Sequence, residues 1–394
     1  MGLSKSMLKK LDEIGYEKPS PVQAGVIPLV MDEYDVIGQA RTGTGKTAAF
    51  AIPILEQLDL KVRHPKPQAL ILTPTRELAV QVENEFRRMC DPEHVKCVCV
   101  YGGRPISTQI NQLKRGAHVV VGTPGRVIDH LNRGTLNIDQ LWFVVLDEAD
   151  RMLDIGFRPD IERILSRCPK ERQTLLLSAT LPEPIRRLAK RYMYQPKVIN
   201  FSKDSVAGKT IEQHVLRLPA TMKFDILVKL LERENPEQAI VFCRTKLGTA
   251  KLFRKLTKKT SFQRIGSLHG DMTQSSRDRV MKEFRSGKLQ LLVATDVVGR
   301  GIDVSNVSHI INFDIPELSD DYVHRVGRTG RMGRQGVAFS FVTPAQKGEL
   351  SRIEEKINVQ LKPDPLQELI ESTWEDFEPR PADSKPKKRY RRAL

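Results

Sequence analysis

The apolar positions of this chain fall into short unbroken runs separated by polar loops, and one run organises the rest. Leu141, Trp142, Phe143, Val144, Val145 and Leu146 are rich in β-branched and aromatic residues and lead directly into Asp147-Glu148-Ala149-Asp150. A run apolar on both faces predicts a fully buried strand, of the kind found in parallel sheets covered on both sides by helices. In such sheets ligands bind beyond the carboxyl ends of the strands, where this run places its acids. One carboxylate there can hold a hydrated magnesium ion while its neighbour polarises a water; an acidic turn after a core strand is the plainer alternative.

The alternation continues on either side. Strands are predicted at Asp35–Gly38, Ala69–Thr73, Val95–Tyr101, His118–Gly122 and Thr174–Leu177. Met7, Leu8, Leu11 and Ile14 predict a helix over 4–14 that stops at Gly15, and further helices follow from Ala48 and over Thr75–Met89. Repeated strand–helix units predict an α/β fold with a twisted parallel sheet and right-handed crossovers. That topology brings loops 74–76, 102–103, 123–126, 147–150 and 178–180 to one edge. A polar stretch at 204–211, with Gly208 and no apolar period, reads as a linker between a first domain, 1–203, and a second, 212–372. The second alternates again, with strands at 239–243, 265–268, 291–294, 309–313 and 337–342 and a helix over 344–358. Residues 373–394 turn to Pro, Lys and Arg and predict a disordered basic tail, whose role is additional attraction to a polyanionic partner or mere solubility.

Candidate chemistry concentrates in the predicted loops. Ala40-Arg41-Thr42-Gly43-Thr44-Gly45-Lys46-Thr47 lies between a strand and a helix. Its glycines let backbone N–H groups face phosphates, Lys46 can reach the outer phosphates, and Thr47 offers a hydroxyl to magnesium. Upstream, Gly15-Tyr16-Glu17-Lys18-Pro19-Ser20-Pro21-Val22-Gln23 is stiffened by two prolines. Gln23 is an ordinary solvated helix residue or a group whose amide pairs with the edge of adenine. Arg76 and Arg126 are cationic, Thr75 and Thr123 can donate hydrogen bonds, and Gly102, Gly103 and Gly125 permit close approach, a set suited to a phosphate backbone. In the second domain, which has no phosphate loop of its own, Arg325, Arg328 and Arg331 recur every three residues and so share one face of a helical turn. They form a basic helix surface, or Arg328 and Arg331 reach a γ-phosphate across a domain cleft.

Composition narrows the partner. The chain has 394 residues, 40% of them apolar, and a formal charge of +16, which excludes wholesale disorder and predicts a polyanionic partner. Its five cysteines, at 90, 97, 99, 168 and 243, are irregularly placed and read as reduced buried thiols in a cytoplasmic setting rather than a metal site. His269 and His324 are too isolated for metal ligation. There is no signal peptide, and no apolar run approaches the roughly 18 residues of a membrane span.

Taken in order, the segment ending at Gln23, the phosphate loop, Pro74-Thr75-Arg76-Glu77-Leu78-Ala79, Thr123-Pro124-Gly125-Arg126, Asp147 to Asp150, Ser178-Ala179-Thr180 and His324 to Arg331 resemble the motifs of the DEAD-box RNA helicases over about residues 6 to 360. The resemblance implies two tandem RecA-like domains that close on ATP, magnesium and RNA, either single-stranded or a short duplex, gripped through its backbone. It implies that Gln23 reads adenine with Tyr16 near the base, that Asp303 meets the ribose, and that Thr42, Gly43, Thr44, Gly45, Lys46 and Thr47 hold the phosphates. Asp147 would hold magnesium with Thr47, and Glu148 would activate water beside Lys46, Arg328 and Arg331. Asp150, Ser178, Thr180 and His324 would couple hydrolysis to domain contacts. Arg76, Gly103, Thr123, Arg126, Gly270, Gln274, Arg277 and Thr295 would touch RNA. The family's usual aromatic upstream of the glutamine segment would fall ahead of Met1 and is missing, which implies weaker adenine binding or a truncated start. Val298 and Gly299 replace a commoner pair of alanines with little expected effect. The expectation is an RNA-dependent ATPase of general bacterial type that unwinds short duplexes or remodels RNA–protein complexes, acting as a monomer with RNA-processing partners. The alternatives are an ATP-gated RNA clamp with little multiple-turnover hydrolysis, and a DNA helicase.

Overall fold

The apolar runs assemble into two seven-stranded sheets in a computed structural model, which describes every residue except 1, 41–42, 62–64, 92, 202–210, 261, 297–306, 331–334 and 376–394. The first sheet comprises β1 (Val36–Gln39), β2 (Ala69–Leu72), β3 (Cys97–Val100), β4 (Val119–Gly122), β5 (Phe143–Asp147), β6 (Gln173–Ser178) and β7 (Lys197–Asn200), in the order β3-β4-β2-β5-β6-β1-β7. The second comprises β8 (Ile211–Arg217), β9 (Ala239–Cys243), β10 (Ile265–Leu268), β11 (Leu291–Thr295), β12 (His309–Asn312), β13 (Gly336–Val342) and β14 (Lys362–Pro363), in the order β10-β11-β9-β12-β13-β8-β14. Subtracting seven from each label of the second order reproduces the first, so one topology is used twice. The described pairings are parallel.

Each sheet is buried on both faces. Phe143 and Val145 of β5 join one apolar cluster and Val144 and Leu146 the other, and Val293 and Leu292 of β11 divide likewise in the second sheet. Each large apolar side chain so buried contributes about 1.5–3 kcal/mol relative to exposure. The five cysteines are free and buried, as their placement suggested. Trp142, expected inside the central strand, stands before it and is 49% exposed, because the ladder begins only where Phe143 pairs with Ala69 and Gln173.

Three strands escape the apolar pattern. β7 is an exposed edge strand, β8 carries Glu212, Gln213 and His214, and β14 is two residues long and ends in Pro363. β8 starts at Ile211, inside the stretch read as linker, and the helix Leu366–Glu375 runs past residue 372 into the stretch read as tail. Residues 204–210 and 376–394 lie outside the described residues.

Asp364 fastens this C-terminal segment to the second sheet. Its buried carboxylate accepts two hydrogen bonds from Arg233, both 2.8 Å, and one from the Leu366 N–H, while its own N–H donates to the Val215 carbonyl on β8. Burial pushes its pKa up, but these donors outweigh burial and leave it below the ordinary aspartate value. A depressed folded pKa stabilises above the unfolded value and loses that contribution as pH falls. Asp364→Asn should therefore cost about 2 kcal/mol at pH 7. The deficit, read from hydrogen exchange of the β8 amides in wild type and variant, should shrink below the unfolded aspartate pKa of about 4.

Candidate active site and interdomain cleft

The loop after β1 is clasped by the preceding segment. Ser20 caps the helix Pro21–Met31 in a capping box with Gln23, and Pro21 takes the first helical position. The Ser20 hydroxyl donates to the Thr44 carbonyl at 2.8 Å, and the Gln23 amide donates to the Gly45 carbonyl at 3.3 Å while accepting from the Ser20 N–H at 2.8 Å. Gln23 thus ties the loop in place with both ends of its amide. Gly43 and Gly45 adopt φ of 81° and 89°, and a Cβ on Gly45 would also strike Gln23, so glycine is required there twice over. The helix Lys46–Gln57 starts immediately afterwards, with Thr47 in its first turn. Lys46 is buried and its ammonium donates to the Ala40 carbonyl at 3.0 Å. Tyr16 packs against the core of the first sheet. Thr42, Val298, Gly299, Asp303 and Arg331 lie outside the described residues.

At the end of β5, Asp147, Glu148 and Asp150 are all buried, and each is compensated differently. Asp150 accepts from the N–H groups of Ala179 and Thr180, at 3.1 and 2.8 Å, and from the Thr180 hydroxyl at 3.0 Å. The Asp150 N–H donates to the Ser178 hydroxyl, which donates onward to the Thr180 carbonyl. The predicted group Asp150, Ser178 and Thr180 is therefore one hydrogen-bonded unit joining β5 to β6. Asp147 accepts from the Glu148 N–H at 3.0 Å. Burial pushes its carboxyl up to about 6, against the pull of Lys46. Burial would raise Glu148 too, but Arg151, Arg328, Lys46 and His324 hold it down at about 2. Arg151 lies 3.5 Å from Glu148, whose Oε2 makes no hydrogen bond.

Arg328 and His324 belong to the second sheet's domain, so the site is assembled from both. Arg328 is buried and its Nε donates to the His324 carbonyl at 3.1 Å. The expected shared face of Arg325 and Arg328 does not form. The helix Ser319–Val326 ends at the Gly327 cap, leaving Arg328 beyond it, and Arg325 turns into its own domain. There Arg325 grips Asp296 with two bonds of 2.5 and 2.7 Å and donates to Asn312 and the Asp314 carbonyl.

A cavity of about 490 Å³ opens between the domains, with Arg76, Thr123 and Arg126 on one side and Gly270 and Arg277 on the other. Gly102 and Gly103 leave room for the Arg76 guanidinium. Among the described residues two contacts cross it: Arg76 donates to Gln274 at 3.2 Å, and Arg277 forms a buried ion pair with Glu77. Arg126 donates to the Arg104 carbonyl, and Thr295 is buried at the end of β11. Sequence reasoning missed Glu77 and Arg151 as site residues, although each adjoins one it chose. A charged residue flanking a motif carries no sign of whether it faces the site or the solvent.

Residues 20–188 match the DEAD/DEAH box helicase family, and residues 222–333 match the helicase conserved C-terminal domain. The chain belongs to the DEAD-box helicases. It is 48% identical to the DEAD-box ATP-dependent RNA helicase CshA of Geobacillus kaustophilus, over 94% of this chain and 79% of that protein. It is 45% identical to the ATP-dependent RNA helicase CshA of Listeria monocytogenes, over 95% and 70%. Among solved structures, S. cerevisiae Dbp5 bound to RNA and ADP BeF3 superposes with a TM-score of 0.83 at 31% identity, covering 95% of this chain and 97% of that one. Mss116p bound to ssRNA and AMP-PNP gives 0.83 at 31% identity, covering 94% and 79%. A DEAD box protein from Methanococcus jannaschii gives 0.54 at 41% identity, covering 92% and 98%.

Asp150→Ala should strand the Ala179 and Thr180 N–H groups, at about 1–3 kcal/mol for each buried donor left unpaired. Hydrogen exchange should show those two amides losing protection while the centre of β6 keeps its own.

Proposed function

We propose that the chain is an RNA-dependent ATPase that opens short RNA duplexes or remodels RNA–protein complexes by ATP-driven closure of its two domains. The observation that carries this reading is the joint holding of Glu148 by Lys46 and Arg151 of the first domain and Arg328 and His324 of the second. A carboxylate kept ionised and able to accept a hydrogen bond is suited to orienting an attacking water. Closure also supplies Arg328 to the γ-phosphate, a contribution typically of about 10³–10⁵ in rate. Arg331 is proposed as its companion from the sequence pattern.

The phosphates lie on the loop Thr42 to Thr47, with Lys46 leaving the Ala40 carbonyl for the outer phosphates and the helix N-terminus adding its N–H groups. Gln23, with Tyr16 nearby, is the proposed adenine reader, and Asp303 the ribose contact. The residues present fit magnesium. Thr47 and Asp147 are hard oxygen donors, and Asp147 is an under-compensated buried acid whose ionised form a divalent cation would favour. Magnesium, when bound, offsets charge on the phosphates. Asp150, Ser178 and Thr180 then transmit the state of the site through one hydrogen-bonded unit, with His324, whose charge acts on Glu148, as the proposed coupling group of the other domain.

RNA lies in the cleft against Arg76, Gly103, Thr123 and Arg126 on one wall and Gly270, Gln274, Arg277 and Thr295 on the other. Phosphate and sugar contacts of this kind carry no sequence information, which fits a general RNA substrate. The domain arrangement supports closure. Two relatives described as bound to RNA and a nucleotide analogue match the whole chain better than the more identical archaeal protein does, as expected if the match follows the angle between domains.

Steady-state ATP hydrolysis with and without single-stranded RNA tests the reading. RNA should stimulate multiple turnovers. Glu148→Gln should lower kcat by about 10²–10⁴-fold while leaving RNA binding with a non-hydrolysable analogue intact. Hydrolysis that stops after one turnover in the wild type would establish a clamp instead, and hydrolysis indifferent to RNA would remove the coupling. If about six phosphates are gripped, log affinity against log salt should have a slope near −4, and a slope near zero is incompatible with backbone recognition.

A further inference from the structure

The helix Lys246–Lys259, which connects β9 to β10, carries many basic residues and no acid to offset them. Several exposed arginines elsewhere are paired with a carboxylate four residues away: Arg87 with Glu83, Arg133 with Asp129, Arg158 with Glu162, Arg187 with Glu183. Such i,i+4 pairs neutralise a solvated face. Lys246–Lys259 contains no carboxylate at all. Its inner face is apolar, with Leu252 and Leu256 in the core and Lys255 lying 3.6 Å over the Phe224 ring. Its outer face carries Leu247, Lys251, Arg254 and Lys258, all exposed and spaced four, three and four residues apart, which aligns them along one side. Lys251, Arg254 and Lys258 have no carboxylate partner among the described residues.

The face starts at the cleft. Lys246 bonds Asp271 at 2.7 Å and lies over Gly270, so close that a Cβ there would meet its Cε at 3.2 Å; Gly270 lines the interdomain cavity. As a crossover between parallel strands, the helix runs back from the carboxyl edge of β9, where the cleft is, towards the amino edge of β10. From Leu247 to Lys258 it covers about 16 Å. Phosphates of a stacked strand recur about every 3.4 Å, so this length spans roughly four or five of them.

We propose that Lys251, Arg254 and Lys258 form a second phosphate track, continuous with the cleft at Lys246 and Gly270, that holds single-stranded RNA running out of the cleft. The track rests on the RNA-binding reading of the cleft and extends it. It recognises no bases, because its groups are flexible cations without a stacking platform. Its effect is to lengthen the footprint, so that long RNA binds more tightly than a segment filling only the cleft.

The test uses the full chain with magnesium and a non-hydrolysable ATP analogue, and measures anisotropy of a short oligouridylate matched to the cleft and of a much longer one. Lys251→Glu/Arg254→Glu/Lys258→Glu should weaken the long RNA about tenfold near physiological salt and make its log–log salt slope shallower by about 2, near 0.7 per phosphate. The short RNA should bind as in the wild type, which also shows that the variant is folded. Each single reversal should take about a third of the slope change. A control removes the same charge from Lys5, Lys9 and Lys66, which are exposed on the first domain. Equal loss in the control, or no change with long RNA, overturns the track. A loss confined to blunt duplex overturns the single-strand assignment. If the wild type binds neither RNA, the cleft reading fails and the track fails with it.

Discussion

Three buried carboxylates at the end of one central strand must be compensated, and much of the molecule is arranged around that requirement. An isolated buried charge is costly enough that it must be paired, hydrogen-bonded or neutralised. Asp150 is satisfied within its own domain by the backbone of Ala179 and Thr180. Asp147 is not, and burial leaves it protonated up to about 6. Glu148 is held ionised only by cations gathered from the phosphate-loop helix, the turn after β5 and the other domain. The first domain alone is therefore short of positive charge where it has most acid. That shortage gives a physical reason for the domains to meet at this point.

The second sheet shows the same topology with the shortage removed. By strand order, β8 corresponds to β1 and β12 to β5. The helix after β1 begins at Lys46 and the helix after β8 begins at Lys223. β5 ends at Asp147, and Asp314 lies two residues beyond the end of β12. In the second domain these groups close on each other: Lys223 donates to Asp314 and to the Phe313 carbonyl, each at 2.8 Å. In the first domain Lys46 is bonded instead to a carbonyl, and the two charges interact only through space. The connecting segments differ accordingly. Residues 40–45 include two left-handed glycines, whereas Leu218-Pro219-Ala220-Thr221-Met222 has no glycine and cannot turn its N–H groups around an anion in the same way. One fold thus gives a lysine and an acid left for a ligand in one copy and an internal ion pair in the other.

Much of this was legible in the sequence because the signals were local. Lys46 to Gln57 follows its glycines, Val144 and Leu146 alternate with Phe143 and Val145 in a run apolar on both faces, and Asp147 to Asp150 follow at once. What was lost depended on partners distant in sequence. β8 reads as polar because Glu212, Gln213 and His214 sit near the edge of the sheet, where only the short β14 covers them. The three-residue recurrence of Arg325 and Arg328 suggested a common face, but the helix ends between them at Gly327. Arg151 is not singled out by the sequence as a site residue and is 1% exposed beside Glu148, since nothing local records what will bury that turn.

The backbone at Glu148 explains how three acids so close together can serve different ends. Glu148 has φ 50° and ψ 51°, a left-handed conformation that a side-chain-bearing residue adopts at a cost of roughly 1–2 kcal/mol. Glycine would remove that cost and with it the carboxylate. The turn ends β5 at Asp147 and starts the helix Ala149–Asp154 within a single residue, so the chain reverses direction between Asp147 and Asp150. Asp147 and Glu148 are left beside Lys46 and the second domain's cations, while Asp150 is carried back onto Ser178 and Thr180. A relaxed turn would need more residues and would separate the acid that responds to Lys46 from the one fixed to β6. The strain is therefore the condition for placing the water-orienting candidate between the phosphate loop and the opposing domain, with its neighbour bonded to the strand that carries Ser178.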